Sequence, residues 1–449
     1  MWNQKPVHRS VHLKLIALTV IYSVVVPILI IVCSPLYLLR LVLQFVLPTF
    51  RIEGIVSIIS ARSSVFAADD ITGSPKATIV VHVTVDGLTD LNGLQGKVLS
   101  EMIHRTKESA DTLLYPELQQ YAVQFMGFSF WRQESNFKIE DHVWECFDPF
   151  AEFRSKDLNE IHEKLIRKPF RAKRSPWEFI LLLGRNVDPE DEDVHIFFRF
   201  HHCLSDGFSI LQLLMTELTG QELALPRVSK VEPERKPFLH RIAHYCVKIL
   251  LVTYEQVCQR YFSKDINIWH HQALNLSQKY HAIMSDRIEV DFIRDVKQKR
   301  QDCTFSALIL AGLAGGIRKY FQEHEMPLID QVHVVCPLPI TQRPEGIGNY
   351  WTFALVPLPV QESDRNGRLQ KIITSLQAAS KSTVPIVNYY LIPLVGALPS
   401  PLISQFGSNT FSTGMASIFP GPRHRCYLNG HSVKDMVFGG GFLNGDQGT

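Results

Sequence analysis

The 449-residue sequence lacks a surplus of charge of either sign: 46 Lys and Arg stand against 44 Asp and Glu, a formal net charge of +2. A chain that holds nucleic acid by its phosphates concentrates positive charge, so this balance argues against a nucleic-acid partner. Closely spaced cysteine pairs are also missing. The eight cysteines, Cys33, Cys146, Cys203, Cys246, Cys258, Cys303, Cys336 and Cys426, include no CxxC. Neither a zinc site nor a disulfide framework is indicated, no metal is expected, and the scatter suits reduced thiols facing a cytosol. Short repeats and low-complexity tracts are absent as well, which excludes a repeat architecture.

The N-terminus is unlike the rest. Leu15 to Leu39 runs 25 residues without a charge, more than the roughly 20 that cross a bilayer. No small-residue cleavage site stands out after it, which disfavours a signal peptide. Residues 1–52 are therefore read as a membrane anchor. It is either a single span or, because Arg40 is followed by LVLQFVLPTF, a hairpin that dips in and returns. Lys5, Arg9 and Lys14 precede the run and Arg40, Arg51 and Arg62 follow it, so flanking charge leaves the orientation tied.

Beyond the anchor, strands and helices recur in two halves. ATIVVHVTVDG (77–87) alternates as a Val-rich strand does, and LNGLQGKVLSEMIHRTKE follows with helical spacing. WEFILLLG (177–184) and VHIFFRF (194–200) are apolar strands joined by the acidic loop NVDPEDED, which suggests a hairpin. FSILQLLMTEL puts Phe208, Leu211, Leu214, Met215 and Leu218 on one helical face. A charged, proline-punctuated stretch begins near Pro226, and residues 238–262 read as a basic amphipathic helix packed between lobes, in preference to one lying on a membrane. A second half starts near Ala282 with strand DRIEVDF, helix TFSALILAGLAGGIRKYFQ, strand VHVVCPLPI and strand YWTFALVPLPV. The expected division is an N-terminal lobe at 53–225, a linker with its helix at 226–281 and a C-terminal lobe at 282–449, two α/β lobes in all.

Between the last strand and the last helix of the first lobe lies HHCLSDG, residues 201–207. Histidine can take and return a proton near neutral pH. A glycine nearby permits close backbone approach, and a carboxylate in the same turn can fix the loop. The second pair, His270 and His271 in IWHHQALN, has no Asp-Gly after it and is read as carrying no chemistry.

The HHxxxDG pattern at a strand-to-helix junction resembles the signature of acyltransferases with a chloramphenicol-acetyltransferase-like fold, a group that includes nonribosomal-peptide condensation domains. Further stretches narrow the resemblance to the wax ester synthase/diacylglycerol acyltransferase family. RSPWEFILL (174–182) is similar to its Pro-Leu-Trp-Glu segment, with Ser175-Pro176 in place of Pro-Leu. FKIEDHVWE (137–145) is similar to its segment leading into His-Val, GIGNYWTFALVPLP to its Gly-Asn element at Gly348 and Asn349, and FPGPRHRCYLNGHSV to its Pro-Gly-Pro. The likeness spans residues 64 to 445. The sequence departs from the pattern at Ser306-Ala307, where the family often has Asn-Asp. It also stops at GGGFLNGDQGT, where the family continues into a final strand and helix.

The resemblance implies two chloramphenicol-acetyltransferase-like lobes with the active site in a tunnel between them. It implies an O-acyltransferase moving a fatty acyl group from acyl-CoA to a fatty alcohol or diacylglycerol, with acyl-CoA as co-substrate, no cofactor, and membrane lipid as a partner. His202 would be the general base, with His201 beside it. Asp206 would be a structural carboxylate, Gly207 would give room, and Trp177 and Asn349 would shape the substrate site. No acyl-enzyme is implied, and Cys203 shows no sign of a depressed pKa. PIVNYYLIPLVGALPSPLI (385–403) is a candidate acyl wall, with core plus a proline-rich loop the preferred reading. Because acyl-CoA is cytosolic, an endoplasmic reticulum membrane is expected, catalytic domain towards the cytosol and the sequon at Asn275 unmodified, with the plasma membrane as the alternative. The competing function is a lipid-binding or regulatory chain that kept the fold and lost turnover. A peptide condensation domain is disfavoured by the anchor.

Overall fold

The computed structural model describes residues 9–221 and 249–441, apart from 88–89, 108–109, 260, 262–264, 266, 270–280, 286, 301, 341–342, 407–411, 420 and 423. His270, His271 and Asn275 lie outside the described residues, as does most of the 226–281 linker.

The long apolar run is helical. Helix α1 (Arg9–Val32) contains the stretch Ser10–Val32, the one described segment long and apolar enough to cross a membrane, with mean hydropathy 2.9. Cys33 separates it from α2 (Ser34–Thr49), which has Pro35 in its first turn, where a missing N–H costs no helical bond. Helix α2 has two apolar faces with different fates. Leu43 and Leu47 pack on Ile55, Phe128 and Phe130, while Leu38, Leu41 and Phe45 stay exposed. Arg40 reaches back to donate to Ile59 O at 2.6 Å. So the second part of the apolar N-terminal run is docked on the globular body.

The first lobe follows as β1 (Ile55–Ile58), α3 (Ala61–Ala67), β2 (Thr78–Val85), α4 (Leu91–Val98), β3 (Gln120–Phe125), β4 (Phe128–Gln133), β5 (Val143–Glu145), α5 (Leu158–Arg167), β6 (Trp177–Leu183), β7 (Val194–His201) and α6 (Gly207–Leu213). Strands β6 and β7 pair antiparallel from Trp177↔Phe200 to Leu183↔Val194, the expected hairpin. They are apolar on both faces because both faces are covered. Trp177, Phe179, Phe198 and Phe200 fill the main core, while Ile180, Leu182 and Phe197 meet Ile161 and Leu165 of α5.

The second lobe comprises α7 (Val290–Gln298), α8 (Phe305–Glu323), β8 (Val332–Pro339), β9 (Trp351–Leu358), α9 (Arg365–Lys381), α10 (Val384–Gly396) and α11 (Ser400–Phe406). β8 and β9 pair antiparallel from Val332↔Leu358 to Pro339↔Trp351. Leu310 and Ala314 of α8 and Leu369 and Ile372 of α9 pack on Val334 and Val356 of that pair. The Ser306-Ala307 departure leaves α8 intact, its end capped by Thr304, whose hydroxyl accepts from Ala307 N at 3.1 Å.

The chain then returns. β10 (Gly414–Met415) joins β8, whereas β11 (Tyr427–Leu428) and β12 (His431–Gly440) complete the first lobe's six-stranded sheet, in the order β11-β12-β2-β7-β6-β5. β7, which delivers the signature histidines, therefore lies inside this sheet, with β2 on one side and β6 on the other.

Two expectations are corrected here. DRIEVDF is not a strand: Val290 opens α7, and its less exposed apolar residues, Ile293 and Val296, recur with the spacing of a helical stripe. The 385–403 stretch folds as α10 and α11 instead of core plus loop; Pro385 sits in the first turn of α10, where a missing N–H costs no helical bond, and the helix continues through Pro393. Of the 238–262 helix, residues 249–259 are described as helical. Val257 and Cys258 pack on Leu15 of α1, and Gln256 donates to Asn388 Oδ1 of α10 at 3.2 Å, so this stretch ties the N-terminal helix to the second lobe.

Candidate active site

At the end of β7 two adjacent histidines leave the strand on opposite sides, as the pleat requires. His201 turns into the protein. Its Nδ1 accepts from Cys203 N at 3.2 Å, so the ring proton sits on Nε2 and is donated to Asp69 Oδ2 at 3.1 Å. That oxygen also accepts from the amides of Lys76 (2.6 Å) and Ala77 (2.9 Å). Burial alone would raise the Asp69 pKa, but these donors outweigh it and hold the carboxyl below its usual range. Burial keeps His201 neutral against the pull of Asp69. His201 is a structural tie between β7 and the loop that precedes β2.

His202 points the other way and is partly exposed. Its ring stacks on Phe66 of α3, with centroids 3.8 Å apart and planes 15° from parallel, and its backbone N–H donates to Ala77 O at 2.8 Å. Burial pushes its pKa down to about 4, overcoming the opposite pull of the Asp206 carboxylate, so the imidazole is neutral. Its Nδ1 is sealed from solvent without a hydrogen-bond partner among the described residues. Asn349, buried and contributed by the second lobe, donates through Nδ2 to His202 O (2.8 Å) and to Ser63 Oγ (2.9 Å). The Asn349 Oδ1 acceptor is itself buried and has no hydrogen-bond partner among the described residues.

Asp206 holds the two lobes together. Its Oδ1 accepts from Ser209 N at 2.7 Å, capping α6, and Oδ2 accepts from Tyr350 N at 2.7 Å. Arg343 of the second lobe pairs with Oδ1 at 3.0 Å and also donates to Ser209 Oγ, Ile340 O and Tyr350 O, its guanidinium 4.6 Å from the Phe208 ring centre. Gly348 O accepts from Asp206 N, Ser205 Oγ and Ser209 Oγ. The signature aspartate thus fixes the segment 343–350, that segment carries Asn349, and Asn349 fixes the backbone of His202.

The structure therefore brings His202, Asp206 and Asn349 into one constellation. Gly207 opens α6 beside Phe419, where a Cβ would lie 3.4 Å from the ring, so the glycine gives room at the limit of ordinary contact. Trp177 sits apart from them in the core, its indole N–H donating to Leu118 O at 2.8 Å and its ring stacked on His142. The Cys203 thiol is buried, and burial raises its pKa, the reverse of what a nucleophile needs. Phe66, Asp69, Ser63 and Arg343 were missed by sequence reasoning. Each is an isolated residue of a common type, far along the chain from its partner, with no spacing to mark it.

The perch of α3 is tight. A Cβ on Gly396 of α10 would fall 1.8 Å from Ala61 O and 3.0 Å from Val65 Cγ2. Gly396→Ala is expected to push α10 off α3, costing about 1–3 kcal/mol of stability and lowering activity through Phe66 and Ser63. A melting temperature equal to that of the parent would contradict this packing.

Two mixed α/β lobes meeting at an HHxxxDG loop define a two-lobed fold of the CoA-acyltransferase and condensation-domain kind. The model of the wax ester synthase/diacylglycerol acyltransferase catalytic domain matches residues 83–257, and that of the WS/DGAT C-terminal domain matches residues 347–441. The chain belongs to the wax ester synthase/diacylglycerol acyltransferase family. Among solved structures it is similar to the wax ester synthase/diacylglycerol acyltransferase from Marinobacter aquaeolei VT8. The TM-score is 0.52 at 16% identity, over 87% of this chain and 88% of that one. A likeness to the first condensation domain of the CDA synthetase has TM-score 0.49 at 12% identity, over 87% and 86% of the two chains. No curated protein matches the sequence.

Proposed function

We propose that this chain is a membrane-bound O-acyltransferase that transfers a fatty acyl group from acyl-CoA to a fatty alcohol or diacylglycerol. The observation that carries the reading is His202: a neutral, partly exposed imidazole at the junction of the two lobes, held by its ring stack and its backbone. With Nδ1 sealed, Nε2 is the nitrogen left to face a substrate hydroxyl. It takes the hydroxyl proton as the oxygen attacks the thioester carbonyl. The tetrahedral oxyanion then collapses, the C–S bond breaks, and the proton passes to the departing CoA sulfur. One ester and one free CoA result, with no acyl-enzyme, consistent with the inert Cys203 thiol. Both substrates meet at His202 in a tunnel between the lobes. Asp206 and Asn349 act by placing the base. A cytosol-facing domain on the endoplasmic reticulum suits a cytosolic acyl donor, and the unpaired cysteines of the described residues suit a reducing compartment.

The test is product analysis. Membranes carrying the full chain receive labelled acyl-CoA with either hexadecanol or diacylglycerol, and wax ester or triacylglycerol is expected. Formation of neither, with both lobes folded, would favour a lipid-binding chain without turnover.

The state of His202 sets a pH dependence. An ordinary histidine near 6.5 would bring activity down between about pH 7 and 6. With the His202 pKa lowered to about 4, kcat/KM should stay level from pH 8 to about 6 and fall only below that. The same shift weakens folding as pH drops below about 6.5, because the unfolded chain then binds a proton that the folded one refuses. The folded fraction must therefore be followed alongside the rate. An acid limb centred near 6.5 would contradict the assignment of His202 as base.

A further inference from the structure

We infer that helix α10 is a second membrane-seated element, which with α2 and the 249–259 stretch forms one apolar face lying on the bilayer around α1. Four observations converge on it. Between Lys381 and Arg423 the chain runs 41 residues without Asp, Glu, Lys, Arg or His, although it belongs to a globular lobe. In α10 the side chains of Ile386 (63% exposed), Tyr390 (65%) and Leu394 recur every four residues on one outward face. In α2 the exposed residues Leu38, Leu41, Val42 and Phe45 (68%) form a second such face. Near the start of the 249–259 stretch, Ile249, Leu250 and Leu251 are also exposed.

These faces are neighbours. Tyr37 of α2 donates to Leu394 O of α10 at 3.1 Å, and Gln256 donates to Asn388 Oδ1. α1 joins them by Leu15, packed on Val257 and Cys258, and at Cys33, the single residue before α2. The occupant follows from that continuity. Only 11% of the most apolar window of α1 is buried in the protein, and Ile31 and Val32 at its end, next to α2, are among its most exposed residues. A bilayer that takes α1 must begin within a helix diameter of α10, and exposed apolar faces of this extent mark an interaction surface. The rear of α10 rests on α3, where Tyr389 lies against Arg62, 3.6 Å from its guanidinium, one helical turn before Phe66. On the reading proposed above, this places the mouth of the acceptor's path at the membrane, one helix from His202.

The test uses the full chain in phosphatidylcholine vesicles containing a phospholipid with a diazirine in its acyl chain, with cross-linked peptides identified by mass spectrometry. Cross-links are expected in 384–396 as well as in α1, and none at Phe147 or Phe150, which are exposed elsewhere on the first lobe. The double variant Ile386→Asp/Tyr390→Asp should lose the 384–396 cross-links and keep those of α1. Its KM for an acceptor presented in vesicles should rise about tenfold, with kcat in detergent unchanged. Cross-links confined to α1 would overturn the proposal. So would a stable dimer that shields 384–396 from lipid, since the face would then belong to a second copy. The cross-links need no turnover, so a chain that makes no ester leaves this test intact.

Discussion

His202→Ala is expected to abolish ester formation, by about 10²–10⁴-fold, the usual worth of a positioned general base. The chain should remain folded and membrane-bound. The His202 ring stacks on Phe66, and the contacts of its backbone N–H and carbonyl are ones that alanine retains. His201→Ala makes the informative contrast. It removes a buried ring that donates to Asp69 Oδ2 and accepts from the Cys203 amide, which is left without that acceptor. Its effect should fall on stability, and whatever activity remains should keep the parent's acid limb. Equal losses of kcat from both variants with unchanged melting would remove the distinction between base and structural tie, and with it the role given to His202.

Asp206→Asn should cost about 3–5 kcal/mol, the range found when one partner of a buried ion pair is removed. Asp206 and Arg343 are both nearly inaccessible, and an asparagine leaves the guanidinium without its counter-charge. Turned to keep Oδ1 on Ser209, it also points an NH₂ at Tyr350 N, a donor facing a donor. The segment 343–350 loosens, Asn349 loses its placement, and activity falls with the melting temperature, while the acid limb moves to lower pH because the carboxylate that pulled the His202 pKa upward is gone. Adding Arg343→Gln removes the stranded cation, so the double variant should be less unstable than the sum of the singles. A variant that melts like the parent and yet loses its activity would instead give Asp206 a part in proton transfer.

The motif was readable because it is local: a strand, seven residues and a helix, with the apolar period changing on either side. The β6–β7 hairpin was readable for the same reason. What escaped depends on distance along the chain. Asp69 meets His201 across 132 residues and Arg343 meets Asp206 across 137, and single charged residues carry no period that could announce a partner. The return of β12 to β2, which completes the first lobe's sheet, is likewise a pairing between chain ends. DRIEVDF misled because its alternation is too short to separate a strand from a helix face. The stretch at 385–403 misled because proline in a first helical turn reads from sequence as a break. Trp177, singled out with the site, lies in the core, where an indole with a satisfied N–H serves packing.

The most direct test of the central claim is the fate of the acyl group in a single turnover. The full chain is mixed with acyl-labelled CoA thioester, with and without a long-chain alcohol, and CoA release, ester and protein-bound label are followed together. Direct transfer by His202 predicts that CoA and ester appear one for one, only when the alcohol is present, and not in His202→Ala. A burst of CoA without acceptor that leaves label on the protein, or ester formed by His202→Ala at the parent's rate, would contradict it.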